Sequence, residues 1–209
     1  MKNQFLSIKK DGVLETIIEK SRFICTVKRV ENEDDAKNFV LSIKKKYPDA
    51  THNCYAYVAD ADGVYARFSD DGEPQGTAGL PMLDALKNKG VFCTAVVVTR
   101  YFGGVKLGTG GLVRAYQGSV IKAINEIGVV SNVYSATFKT EVAYNVLPLI
   151  LKLIESKKWI KNDVEYLNNS VAITFSAPIE ESDGIFDKIR DYSSGKSTVL
   201  KIKEGYLEY

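Results

Sequence analysis

The order of predicted strands and helices indicates an α+β protein with two domains. The 209 residues, 45% of them hydrophobic and 26% charged, suffice for one or two cores at roughly 100–200 residues per domain. Segments with the alternation and β-branched content of strands are interleaved with segments of helical spacing in the first two thirds of the chain. The last third follows a βαββαβ order.

The first domain begins with a predicted pair of strands. Residues 12–30 are rich in Ile, Val, Thr and Phe, and we expect them to reverse near Glu19 and Lys20. Helical spacing predicts a helix over Glu33–Tyr47. A hairpin with its turn at Ala61–Gly63 is expected to follow.

An acidic, glycine-containing loop then leads into a short predicted helix at Leu80–Lys89, which Gly90 ends. The loop oxygens suit a hard cation such as Mg²⁺. Asp, Gly and Pro are also the residues that a surface turn requires, and turn chemistry is favoured over a metal site. No metal or cofactor is predicted, and four loop residues are retained as accessory binding residues: Asp70, Asp71, Glu73 and Gln75.

The segment RYFGGVKLGTGGLVRAY, residues 100–116, contains five glycines, three basic side chains and no acid. It follows a β-branched run typical of a strand buried on both faces, and it leads into a helix predicted to begin near Thr109–Gly111. A helix N-terminus has unpaired amide groups and partial positive charge, so an anion could approach the glycine backbone between Lys106 and Arg114. The order is neither that of a Walker A loop nor GxGxxG. Alternatively, the glycines only form a tight connection with left-handed φ angles.

The distribution of charge along the chain also indicates a basic surface on the first domain. Between Asp84 and Glu126 there is no acid, while six Lys or Arg occur there. Local positive charge is what a nucleic-acid surface requires, although burial of a strand and a helix also removes acids. Residues 1–133 carry 18 Lys and Arg against 15 Asp and Glu, whereas residues 134–209 carry 10 against 11.

The residues predicted to bind RNA or phosphate lie in this glycine-rich segment. Its basic side chains would neutralise phosphates, and its aromatic side chains would stack on bases, although aromatic residues at strand and helix ends are more often core. The predicted set is Arg100, Tyr101, Phe102, Gly103, Gly104, Lys106, Gly108, Gly110, Gly111 and Arg114. Tyr116 could likewise stack on a base or belong to the core. No catalytic residue is predicted, because no nucleophile and base pair is recognisable and the single histidine, His52, fits a structural role.

The cysteines and the N-terminus indicate a cytoplasmic protein. Cys25, Cys54 and Cys93 are far apart and odd in number, which favours neither disulfides nor a zinc cluster. We interpret them as small buried hydrophobic residues. No apolar run has the length of a signal peptide or a membrane span.

The second domain is predicted from its own pattern. Asn145 is expected to cap a helix with Pro148 in its first turn, and Leu149, Leu153 and Ile154 are expected to face inward. Two strands pair across Asn168 and Asn169, and a second helix and the strand STVLKIK complete the βαββαβ order.

At this point the sequence resembles a known family. The motifs SDDGEPQGTAGLPML and VVVTRYFGGVKLGTGGLVRAYQ, with HNCYAY at His52–Tyr57, resemble the signature of the IMPACT family in its bacterial YigZ-like branch. The resemblance implies that residues 1–133 form a two-layer α/β sandwich like the second domain of ribosomal protein S5. It also implies that residues 134–209 form a ferredoxin-like domain resembling domain V of elongation factor G.

The resemblance further implies a role in translation. Eukaryotic members restrain the starvation-activated kinase of initiation factor 2 by competing for its ribosome-associated activator, and they carry an additional RWD domain. The first predicted strand begins about ten residues after Met1, which leaves no room for such a domain. We therefore expect this chain to share the role in translation but not the kinase-regulating partner. We predict a translation-associated regulatory binding protein that contacts RNA or the ribosome, with a translation factor as a second candidate partner and no membrane association.

Two other functions stay open. The chain could be an enzyme or binding protein for a phosphorylated small molecule or nucleotide, with the same loop as a phosphate cradle. It could also be a protein-interaction module in which the glycine-rich loop is purely architectural.

Overall fold

The computed structural model describes residues 2–209 and confirms the α+β class. The chain divides into two compact units, one ending at Ser131 and one spanning Asn132–Tyr209. The domain assignments 1–133 and 134–209 stay predictions. Within residues 2–209, no helix is both long and apolar enough to cross a membrane.

Residues 2–128 of the first unit contain six strands and three helices. The strands are β1 (Gln4–Ile8), β2 (Gly12–Ile18), β3 (Ser21–Arg29), β4 (His52–Val58), β5 (Ala66–Ser69) and β6 (Thr94–Tyr101). The helices are α1 (Glu33–Lys46), α2 (Gly79–Asn88) and α3 (Gly108–Ile127). Strand β1 was not predicted.

Five of these strands form an antiparallel sheet in the order β2-β3-β6-β4-β5. The reversal between β2 and β3 lies at Glu19 and Lys20, as predicted, and both residues have positive φ, 44° and 64°. Such two-residue turns match the right-handed twist of the paired strands. Strand β6 is central, and all its residues except Tyr101 are buried.

Helices pack on both faces of this sheet. Helix α1 packs its buried face against Tyr57, Ala95 and Val97. Helix α3 lies on the opposite face, where the rings of Tyr116 and Phe23 meet edge to face with centroids 5.4 Å apart. The central strand is therefore covered on both sides, and its C-terminal end leads directly to the start of α3.

The second unit has the predicted βαββαβ order. It consists of β7 (Val129–Val142), whose first residues belong to the first unit, α4 (Leu147–Ser156), β8 (Ile160–Tyr166), β9 (Val171–Pro178), α5 (Ser182–Tyr192) and β10 (Val199–Glu208). The strand order β8-β9-β7-β10 is antiparallel throughout. Its own core includes Phe138, Trp159 and Phe175.

Two details of α4 differ from the prediction. Pro148 does lie in its first turn, but the N-cap residue is Val146, and no side chain caps the helix. Asn145 therefore lies one residue too early to be the cap. Leu149 is exposed rather than inward-facing, because the buried stripe of α4 follows Leu147, Ile150, Leu153 and Ile154.

Candidate functional site

The glycine-rich segment, residues 100–116, runs from the end of β6 into α3, and its glycines have different structural roles. A Cβ on Gly103 would lie 2.1 Å from the backbone of Lys20, so only glycine fits where the segment crosses the β2–β3 turn. The Gly103 amide also donates to Ser21 Oγ at 3.1 Å. Gly104 and Gly108 have φ of 85° and 70°, as the architectural interpretation expects.

Helix α3 begins with an open N-terminus. No side chain caps it and its first turn contains no acid. Gly108, Thr109 and Gly110 are exposed there, so the first amide groups and the positive end of the helix dipole face water.

Two cations flank this N-terminus without ionic partners. Lys106 and Arg114 are both exposed, and within residues 2–209 neither forms an ion pair. Their charges add to that of the helix terminus. The arrangement favours an anion at the surface of α3.

Arg100 differs from the other predicted cations because it is only 5% exposed. Its Nη1 donates to Glu73 Oε1 at 2.7 Å, and its Nη2 lies 3.4 Å from Ser21 Oγ. Glu73 is itself only 8% exposed. Arg100 is therefore neutralised within the protein, and its predicted role as a free phosphate-binding cation is corrected to that of an internally paired one.

Tyr116 completes the buried cluster. Its hydroxyl donates to the same Glu73 oxygen at 2.7 Å, and the ring is fully buried, so it belongs to the core and cannot stack on a base. Burial, followed by the neighbouring Cys54 and Glu73, raises the pKa of the Tyr116 phenol. The phenol thus stays a proton donor to the Glu73 carboxylate.

Of the two remaining aromatic residues, Phe102 is the more available. Tyr101 donates its hydroxyl to Asp49 at 3.0 Å, and the Arg22 guanidinium lies over its ring. Phe102 is 47% exposed. The Arg100 guanidinium lies 5.5 Å from the Phe102 ring centroid.

A surface depression of about 340 Å³ brings these features together. Glu73, Arg100 and Phe102 line it together with Lys106, Gly108 and Thr109 at the start of α3. A neighbouring depression of about 430 Å³ is also lined by Lys106 and includes Arg114. The segment thus presents positive charge, open amide groups and one aromatic ring at one location.

The acidic loop mostly serves the fold. The Asp70 carboxylate accepts from the backbone amides of Gly76, Ala78 and Gly79 at 2.8, 3.0 and 2.8 Å, and thereby satisfies the N-terminus of α2. Asp71 accepts from the Asn53 amide at 2.7 Å and pairs with Lys44.

Only Glu73 and Pro74 of this loop line the 340 Å³ depression, whereas Gln75 is exposed on the same loop. Within residues 2–209, no group of three or more His, Cys, Asp or Glu is arranged to hold a metal ion.

The sequence did not indicate that Ser21 and His52 lie beside this cluster. Ser21 contacts both Arg100 and Gly103, although 79 residues separate it from Arg100. His52 donates a hydrogen bond from Nδ1 to the Asp71 carbonyl at 2.8 Å, and its Nε2 lies 3.9 Å from Glu73 Oε2. The hydrogen bond and half-burial fit the structural role inferred for this histidine.

Comparison with known proteins identifies the family. Residues 19–124, about half of the chain, match the model of the Impact N-terminal domain. The IMPACT family member YvyE of Bacillus subtilis is 40% identical over 100% of this chain and 94% of its own. The IMPACT family member YigZ of Escherichia coli is 38% identical over 90% of this chain and 92% of its own.

A solved structure has a similar fold. A crystal structure described as that of a hypothetical protein is 34% identical, with a TM-score of 0.62, over 97% of this chain and 99% of that one. The glycine-rich segment and the acidic loop both lie within the matched residues 19–124. The chain belongs to the IMPACT family, in its bacterial YigZ-like branch.

Proposed function

We propose that this chain is a cytoplasmic, translation-associated regulatory protein that contacts RNA or the ribosome through the exposed part of the glycine-rich segment. The observation that carries the proposal is the placement of two unpaired cations, Lys106 and Arg114, beside the uncapped N-terminus of α3. Phosphate oxygens are the acceptors that such a terminus prefers. Family membership supports the connection with translation.

The buried Glu73–Arg100 pair has a supporting role in this proposal. It joins the acidic loop to the end of β6, and it holds the wall of the depression against which a ligand would lie. Phosphate binding then falls to Lys106, Arg114 and the backbone amides at the start of α3.

The test is a salt series with a charge-removed variant. Purified protein is sedimented with ribosomes and titrated with transfer RNA between 50 and 200 mM salt (about the range in which phosphate contacts weaken strongly). Lys106→Ala/Arg114→Ala should make the negative slope of log K against log salt shallower by about 1.4 to 1.8, because each phosphate contact contributes about 0.7 to 0.9 to its magnitude.

The matched control is Lys122→Ala. Lys122 is also exposed on α3 but lies beyond its first turn, so its loss should change the slope much less. A flat salt dependence, or an equal effect of the Lys122 and Lys106/Arg114 variants, would reject the proposal.

A second function is favoured by the concave shape of the site. A phosphorylated small molecule or nucleotide could occupy the 340 Å³ depression beside α3. Thermal unfolding with AMP, ADP and ATP, with and without Mg²⁺, tests this. A ligand present at 100 times its dissociation constant should stabilise the fold by about 2.7 kcal/mol.

A further inference from the structure

Phe102 is held as an open aromatic surface rather than as a core residue. Its ring is 47% exposed, and its backbone is fixed because its amide donates to Thr51 Oγ1 at 3.0 Å. The Arg100 guanidinium supports the ring at 5.5 Å. A planar group could therefore stack on the ring without moving the backbone.

Donors line much of the rest of the depression, and the one carboxylate in its lining, that of Glu73, is paired with Arg100. The Oε1 atom of Glu73 already accepts from Arg100 and Tyr116. Arg100 Nε is buried and has no hydrogen-bond partner among residues 2–209. A buried donor left without a partner costs about 1–3 kcal/mol. Arg100 and Lys106 line the depression, and these donors together with the uncapped amides of α3 favour a ligand rich in acceptors.

The size of the depression limits the ligand. Its volume of about 340 Å³ suits one nucleotide rather than a paired duplex segment. In a double helix each base face is already stacked, so Phe102 could not reach one. An unpaired nucleotide has a free base face. Its base can turn out of the stack and lie on Phe102 while its phosphate binds at another part of the site.

We infer that the depression takes one unpaired nucleotide of RNA, with its base on Phe102 and its phosphate at the N-terminus of α3 beside Lys106. The inference rests on the proposed RNA-binding function and adds a preference for single strands. The two ligand groups match the two halves of the site: an apolar ring and a cluster of donors.

Fluorescence anisotropy with an unstructured twelve-nucleotide RNA, alone and annealed to its complement, tests this preference at one fixed salt concentration. The single strand should bind more tightly. Phe102→Ala should weaken single-strand binding about tenfold, consistent with the loss of one base stacked on an aromatic ring, and leave duplex binding unchanged. Phe102→Trp should retain the preference.

Phe68→Ala is the matched control, because Phe68 is a comparably exposed phenylalanine, at 43%, on β5. It should leave both affinities unchanged. Equal binding of single strand and duplex, or an equal loss for both in Phe102→Ala, would overturn the inference while the proposed function stands. Absence of binding to either RNA would overturn both.

Discussion

Arg100 and Glu73 form an ion pair that is almost entirely removed from water, with side chains 6% and 3% exposed. Taking both charges out of water is costly, and the pair is tolerated because Tyr116 and Ser21 supply further hydrogen bonds. Removing one partner would leave the other charge buried and uncompensated. The pair is therefore sensitive to single substitutions.

Glu73→Leu should lower the free energy of unfolding by about 3–5 kcal/mol, as expected for a buried pair that loses one partner. Urea unfolding followed by circular dichroism measures this. The double variant Glu73→Leu/Arg100→Met should recover much of the loss. Glu15→Ala, which breaks the exposed pair with Arg22, should change stability far less, and a comparable effect would contradict the role of burial.

The buried thiols predict a pH dependence of stability. Burial raises the pKa of Cys25 and of Cys54 to about 12, from the usual 9.0. The thiols ionise first in the unfolded chain, so their stabilising contribution is complete below pH 9 and is lost between pH 9 and 12.

Unfolding in urea at pH 8 and pH 10 should show a loss of about 1.4 kcal/mol per thiol at the higher pH. A Cys25→Ala/Cys54→Ala variant should lose correspondingly less stability between the two pH values. The same pH dependence in variant and parent would refute the assignment.

At the scale of an element, the chain can reach the start of α3 only by passing close to the β2–β3 turn at Gly103. Gly103 approaches the backbone of Lys20, whereas Gly118 lies inside α3, where an added Cβ would meet no atom within 4 Å. The first glycine serves a close approach and the second only lowers helix propensity.

Gly103→Ala should therefore destabilise the protein by about 1–3 kcal/mol, because the backbone that its methyl group would meet cannot rotate away. Gly118→Ala should stabilise it by about 0.5–1 kcal/mol. Thermal unfolding of both variants provides the comparison. If both variants changed the stability by the same small amount, the backbone around Gly103 would be able to shift and make room for a methyl group.

At the scale of the whole molecule, each unit has its own buried residues. The buried residues of the core cluster in the second unit run from Ala136 to Ile189, and Val199 packs against them. The acid-free basic interval lies entirely in the first unit. Folding of the second unit should thus depend on its own core, and RNA binding should depend on the first.

A fragment of residues 129–209, which keeps β7 intact, should unfold cooperatively on heating and should not bind transfer RNA. Circular dichroism and anisotropy measure the two properties. A fragment without a cooperative transition would show that its core needs the first unit. Binding of transfer RNA by the fragment would place an RNA-binding site in the second unit.

The sequence by itself determined the order of the elements after β1, the family and the location of the glycine-rich segment, and it predicted two domains. These features depend on local periodicity, turn residues and contiguous motifs, all of which lie within short stretches of the sequence. Strand β1 was missed because its five residues, QFLSI, are too short for a clear alternating pattern.

Only the tertiary structure decided which predicted binding residues are available. Arg100 and Glu73 lie 27 residues apart, and their pairing arises because the sheet and the acidic loop bring them together. The same packing buries Tyr116 and leaves Phe102, Lys106 and Arg114 at the surface. Residue type is local information, whereas exposure and charge pairing depend on contacts between distant segments.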